Sequence, residues 1–288
     1  MKGTFHPSRD ATKLSKAEIF SRESTPMILR YSTSPGIPDF PDNTEDGSRG
    51  FAMRFLLSDD GSKHYDVITN NGFGFITGTP EGFLEQFQAK KAGKFQDYLD
   101  KYPHAKYFAE NQDPSHAISL ATETWHSVQA FKFVNAAGDE RFFRYRLVPW
   151  QGAMKYSKAD AAKQEKNWHF KDLEYRLTHN KPFKYRLMAQ LANPGDQTND
   201  STKTWPETND FAEMGEIVIE KLWQYDEGQP AGEAQKRIIY DPTTIIDGIE
   251  LSDDPILKVR SATYQLSGKI RREHIKDGEL KQATDLKI

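Results

Sequence analysis

The chain has 288 residues, 36% of them hydrophobic and 12% aromatic, with 39 Lys and Arg against 42 Asp and Glu. A chain of this length can bury a full core as one large domain or two modest ones, and a net charge of −3 argues against a nucleic-acid partner. No cysteine is present, which excludes disulfides, thiolate metal sites and a cysteine nucleophile. No apolar run reaches the ~20 residues needed to cross a bilayer, and Met1 to Asp10 carries no signal-peptide core, so a cytoplasmic protein without a membrane span is expected. The 18 Phe, 12 Tyr and 5 Trp predict an interior built from rings, either as a plain core or around a flat apolar ligand.

Met27 to Ser34, Arg49 to Leu57 and His64 to Thr69 read as strands, rich in β-branched and aromatic residues. Ser58-Asp59-Asp60-Gly61 reads as a hairpin turn between the last two. Pro80 to Lys91 changes to helical spacing, and helical stretches are expected as far as about Ala121. Val128 to Asn135 and Arg141 to Val148 form a second predicted hairpin across Ala136-Ala137-Gly138-Asp139. Lys158 to Leu177 reads as one helix, and Pro182 to Leu191 and Met214 to Trp223 as strands. Ser252-Asp253-Asp254-Pro255 then opens a final helix through Ile256, Leu257, Val259 and Tyr264, and the residues from about Lys276 look weakly structured. Locally paired strands with helices between them predict α+β architecture with an antiparallel sheet closed, or nearly closed, into a barrel.

On the final helix Arg260 and Tyr264 are one turn apart, and Arg271 returns to the same face if the helix runs through Gly268. Such a stripe more often marks a solvated face. Its chemical alternative is specific: a tyrosine ligates haem iron only as phenolate, yet a free phenol ionises near pH ~10, so a cation beside the oxygen is needed.

The stretch from Asp247 to Leu257, followed by Arg260 and Tyr264, resembles the proximal haem-ligand region of the haem catalases. The resemblance recurs in order along the chain. Arg30-Tyr31-Ser32-Thr33 and Arg49-Gly50-Phe51-Ala52-Met53-Arg54-Phe55 are similar to two strands of that family, and Asp66 to Asn71 to the segment placing its distal Asn. Phe131 to Asn135 and Trp205-Pro206 match two further landmarks, so the likeness covers Gly3 to about Arg272. With no flavodoxin-like domain at the C-terminus, the chain looks nearest the small catalase-related peroxidases; allene oxide synthase-like haem domains share the same core.

The resemblance implies a single haem-binding domain over residues 1–288, an antiparallel barrel of eight strands with helices outside it. Haem b would lie between the distal strands and the last helix, with Tyr264 as the axial ligand of its iron and Arg260 hydrogen-bonded to the phenolate. Arg30 and Arg271 would pair with the propionates, Ser32 and Asn70 would serve distal catalysis, and Phe75 and Phe83 would flank the distal haem face. A peroxide substrate, an electron donor and a homo-oligomer are the implied partners.

One departure touches the chemistry. The family's distal histidine lies upstream of the segment matching Gly3-Thr4-Phe5, so this chain is expected to lack it, and His6 is not assigned the role. The family's Gly-Asn-Asn-Thr-Pro is here Thr69-Asn70-Asn71-Gly72-Phe73. Three functions follow as expectations: peroxidase activity with weak catalase turnover, rearrangement of a fatty-acid hydroperoxide, and haem binding without turnover. His64, His104, His116, His126, His169, His179 and His274 show no metal-ligand spacing.

Overall fold

The computed structural model describes residues 1–33, 41–43, 48–111, 115–223, 225–226, 229–230 and 237–276. The strands are β1 (Lys2–Pro7), β2 (Thr25–Thr33), β3 (Arg49–Leu56), β4 (His64–Asn70), β5 (His116–Ala117), β6 (Trp125–His126), β7 (Phe131–Val134), β8 (Glu140–Pro149), β9 (Lys155–Tyr156), β10 (Phe183–Leu191), β11 (Phe211–Lys221), β12 (Tyr225–Asp226), β13 (Gln229–Pro230) and β14 (Ile249–Leu251). The helices are α1 (Ala11–Leu14), α2 (Pro80–Lys91), α3 (Phe95–Lys101), α4 (Pro103–Asn111), α5 (Lys158–Ala161), α6 (Trp168–Thr178) and α7 (Pro255–Lys276).

The main sheet runs β10-β11-β1-β2-β3-β4-β6-β8, and β8 pairs back onto β10, closing an eight-stranded antiparallel barrel as expected. Closure removes the unpaired edges that an open sheet would expose. The first half of β8 pairs instead with β7, which carries β14, and so joins the wall to the segment leading into α7.

Period-2 alternation drives rings inward: Tyr31, Phe51, Trp125 and Tyr185 point into the barrel, each at most 7% exposed. Tyr31 stacks on Phe51 with centroids 4.2 Å apart, and Trp125 lies 5.3 Å from Tyr31. Trp125 Nε1 donates to Tyr185 Oη at 3.2 Å, and Tyr185 Oη donates to the Leu120 carbonyl, so the polar tips of these rings are satisfied inside the core. The ring-built interior is thus a plain aromatic core within the barrel.

Both predicted hairpin turns form. Gly138 adopts φ 89°, where other residues are strained, and Asn135 Oδ1 accepts from the backbone of Ala137 and Asp139. Three expectations need correction, and one element was not expected. The helix expected over Lys158 to Leu177 is two, α5 and α6, because residues 162–167 include no large apolar side chain to bury. The strand expected from Val128 begins at Phe131, since Ser127 Oγ accepts from Tyr145 N at 2.8 Å in place of a ladder bond. Helical structure ends at Asn111, and Ser119 caps a 3-10 turn at Leu120–Thr122 where helix was expected. β1, unanticipated, fills the gap between β2 and β11. The residues from 277 onward lie outside the described ones.

Candidate functional site

The outer face of β2, β3 and β4 is set by register. Ser32 pairs with Gly50 and Gly50 with Asn70, so these three form one row across the wall, and Arg30, Ala52 and Ile68 form the next. Side chains in a row share a face. Small residues therefore occupy the centre of a shallow bed whose margins are Arg30, Ser32 and Asn70. At Gly50 an added Cβ would stand 2.8 Å from Ser32 Oγ, so the bed is as flat there as a backbone allows. Asn70 Oδ1 accepts from Gly72 N at 3.1 Å, which leaves the Nδ2 end of the amide to donate. The row continues to His126, which lines a separate cavity of about 210 Å³ with Phe73, Arg146 and Glu207. Phe75 and Phe83 stack with centroids 5.4 Å apart, Phe83 standing on α2, which packs against α7.

α7 runs unbroken through Gly268, where any side chain would collide with Ile239. Arg260, Tyr264 and Arg271 consequently share a face as the spacing required. Arg260 Nε and Nη2 donate to Tyr264 Oη at 3.2 and 3.1 Å, and Arg260 Nη1 donates to Gln129 Oε1. Ser261 and Gln265 donate to Asp241, fastening the helix to the 238–243 segment. That segment is itself held to β3 and β4, because Asp241 N donates to Asp66, which carries a bidentate bond from Arg54 at 2.8 and 2.7 Å.

Arg271 and Arg30 come together from α7 and β2. Burial, and then the charge of Arg30, hold the Arg271 guanidinium below the usual arginine range. Neither has a carboxylate partner among the described residues: Arg30 lies 4.9 Å over the Tyr240 ring, and Arg271 Nη2 donates to the Ile238 carbonyl at 3.3 Å. The Nε atoms of both are buried without a hydrogen-bond partner. Two such cations side by side are costly unless an anion joins them. Burial pushes the phenol of Tyr240, whose ring also lies under Arg54, up to about 12.

Every predicted site residue thus falls in one of four groupings: Ser32 with Asn70, Phe75 with Phe83, Arg260 with Tyr264, and Arg30 with Arg271. Sequence reasoning missed Gln129 and Tyr240. Nothing local marks Gln129, which sits between two strands in Ser127-Val128-Gln129-Ala130, 1% exposed. The flat bed was also invisible until the register was known.

A closed eight-stranded antiparallel barrel wrapped by helices is the catalase core fold, and catalase A of Saccharomyces cerevisiae superposes on 94% of this chain with a TM-score of 0.79 at 20% identity. The chain matches the Catalase family over residues 1–274 and belongs to that family. It is 30% identical over 277 residues to a catalase-related peroxidase of Mycolicibacterium paratuberculosis, covering 94% of this chain and 85% of that protein. A catalase-related peroxidase of Synechococcus elongatus is also 30% identical, over 281 residues that cover 92% of this chain and 78% of that one. The chain spans 59% of the yeast catalase A structure. No helix among the described residues is long and apolar enough to cross a membrane.

Proposed function

We propose that the chain is a haem-dependent oxidoreductase that reduces peroxides with electrons from an organic donor, holding haem b between the bed on β2–β4 and α7 with Tyr264 as iron ligand. The observation that carries this reading is the double donation from Arg260 to Tyr264 Oη. A guanidinium so placed favours the phenolate, the form that binds ferric iron. The remaining residues fit the group: Arg30 and Arg271 supply two cations without a carboxylate partner for the propionates, and Gly50, Ala52 and Ile68 supply a flat bed.

Bound there, haem supplies the redox-active iron at which a peroxide O–O bond is cleaved. The protein's own part is to bind, orient and exclude water. Arg260 stabilises the negative charge on Tyr264 Oη, and Asn70 Nδ2 donates to a peroxide oxygen while Ser32 bounds the same space. An amide is no base, so neither Asn70 nor Ser32 takes the peroxide proton at neutral pH. Acid–base assistance is worth ~10²–10⁴-fold. Neither side chain supplies that assistance, which keeps a weakly active haem protein as the second reading.

Protein purified with haem available should show a high-spin ferric spectrum, with slow peroxide-induced change in stopped flow. Joining an upstream segment that carries a histidine should accelerate that change at least a hundredfold without altering the resting spectrum. Failure to bind haem would remove the proposal. Equal fast rates in both forms would place proton transfer on another residue.

A further inference from the structure

Glu123 lies 3% exposed in the loop between the 3-10 turn Leu120–Thr122 and β6, a buried carboxylate outside every grouping of the candidate site. Its Oε1 accepts from Thr124 N at 2.9 Å, and the side-chain amide of Asn71 donates to the same carboxylate. Asn71 is also fixed to the start of β3: its Oδ1 accepts from Arg49 N at 2.9 Å, and its backbone N donates to the Arg49 carbonyl at 3.1 Å. Both ends of the Asn71 amide are therefore spent, one on β3 and one on Glu123.

Asn71 stands between Asn70 and Gly72, whose backbone N donates to Asn70 Oδ1 at 3.1 Å. The direction of Asn70 Nδ2 is thus set within a three-residue turn whose middle side chain Glu123 holds. Ionised, Glu123 only accepts. Protonated, it brings an O–H of its own to a place already furnished with two N–H donors, and its hold on Asn71 weakens. Burial raises its pKa above the ordinary glutamate value, against the opposing pull of Lys155, whose Nζ on β9 lies 3.9 Å away. The other groups that face it are His169 on α6, itself beside Asp42 and Arg49, and the phenols of Tyr31 and Tyr185, which burial keeps protonated. His126, paired with Asn70 across the sheet, is held neutral down to about 4.

We propose that Glu123 is a positioning residue of the distal site, which as a carboxylate holds the Asn71 amide and so keeps Asn70 Nδ2 directed at a ligand lying over the bed. This inference rests on the reading that places haem between the bed and α7. The carboxylate acts through Asn71 and takes no proton from the ligand.

The test uses the ferric haem-loaded protein and fluoride, an anion that accepts a hydrogen bond and has no proton to give, with affinity titrated optically across about pH 5 to 8. In the wild type, affinity should weaken about tenfold toward acid in a single one-proton step, the loss of one charge-assisted bond. Glu123→Gln should remove the step. Lys155→Met should move it to higher pH, because the ammonium favours the carboxylate; this variant changes a residue 31% exposed and keeps Glu123, so it decides the matter even if Glu123→Gln does not fold. Asn71→Ala should show the weak, acid-form affinity at every pH. A merely structural Glu123 would leave fluoride binding without a step; that result, a step retained in Glu123→Gln, or one unmoved in Lys155→Met overturns the proposal. Asn70→Ala separates the two levels of the argument. Wild-type fluoride affinity in that variant removes the reading of Asn70 as distal donor, whereas weakened affinity there with no step in the wild type removes only the role of Glu123.

Discussion

Arg260 aims Nε and Nη2 at the hydroxyl oxygen of Tyr264, one helical turn ahead of it, at 3.2 and 3.1 Å. On a helix merely facing solvent, a tyrosine and an arginine four apart would be expected to stack loosely; here the guanidinium edge is spent on the oxygen, with its carbon 5.5 Å from the ring centroid. Tyr264→Phe preserves the ring and the packing while removing the oxygen, so the protein should fold normally and lose its haem spectrum. Arg260→Leu keeps much of the stem volume and removes the charge, and should lower the midpoint potential or the haem affinity while the thermal midpoint changes little. Wild-type spectra, affinity and potential in both variants would reduce the stripe to a surface pattern.

The pairing of Arg30 with Arg271 predicts opposite effects on the loaded and unloaded protein. The charge of Arg30 disfavours that of Arg271 until an anion joins them. Arg271→Gln should weaken haem binding at least tenfold, yet leave the haem-free protein as stable as before or slightly more so. The gain should stay below about 1 kcal/mol, because Arg271 is only half-buried and solvent screens the repulsion. Isothermal binding with haem, together with denaturant melts of both states, checks the two signs; a haem-free protein clearly destabilised by the change would count against the arrangement.

His126 gives the fold a specific weakness toward acid. Burial, and then the Arg146 charge, lower its imidazole to about 4 from an ordinary value of 6.5. The folded state keeps the ring neutral where the unfolded chain protonates it, so the associated stability is complete above pH 6.5 and is lost as pH falls from 6.5 toward 4. The loss should reach on the order of 2 kcal/mol, allowing for the partial exposure of the ring. His126→Asn should flatten that limb of the stability profile, measured by urea melts at pH 7 and 4.5. A slope equal to wild type would show that the histidine is not held neutral.

Asp66 is the buried hinge between the barrel and the segment that supports α7. It accepts two bonds from Arg54 and one from Asp241 N, and its side chain is fully buried. Asp66→Ala should cost about 3–5 kcal/mol, because Arg54 then keeps a buried charge without its carboxylate. Replacing both residues, as Arg54→Met with Asp66→Leu, should cost less than Asp66→Ala alone. Chemical denaturation of the three variants decides it, and a double variant weaker than the single would contradict the argument.

Much of this molecule is legible as text because its elements carry strong local signals. The turn at Gly138, the helical spacing of α2 from Pro80 and the Asp-Asp-Pro entry to α7 need only short-range chemistry, and each lies where the sequence indicates. β1 carries no such signal: Lys2-Gly3-Thr4-Phe5-His6-Pro7 alternates weakly, and it is a strand because β2 and β11 leave a gap of its width. The site divides the same way. Arg260 and Tyr264 are visible as a spacing, whereas the bed of Gly50, Ala52 and Ile68 depends on how three strands are slid against one another. Gln129 is silent in sequence because its partner Arg260 stands on a helix that begins more than a hundred residues later.

Barrel closure also imposes an order in time. Lys2 must wait for Lys221 before it has both of its neighbours, and β11 lies far along a chain that leaves the ribosome N-terminus first. At ~5–20 residues per second the leading strand spends on the order of ten seconds or more with one edge bare, exposed to other chains and to proteases. Tyr264 emerges later still, after every strand of the barrel wall. All the barrel's strands precede α7, so the barrel can close before that helix docks, and a shortage of haem during synthesis should yield a folded, colourless protein competent to be loaded afterwards.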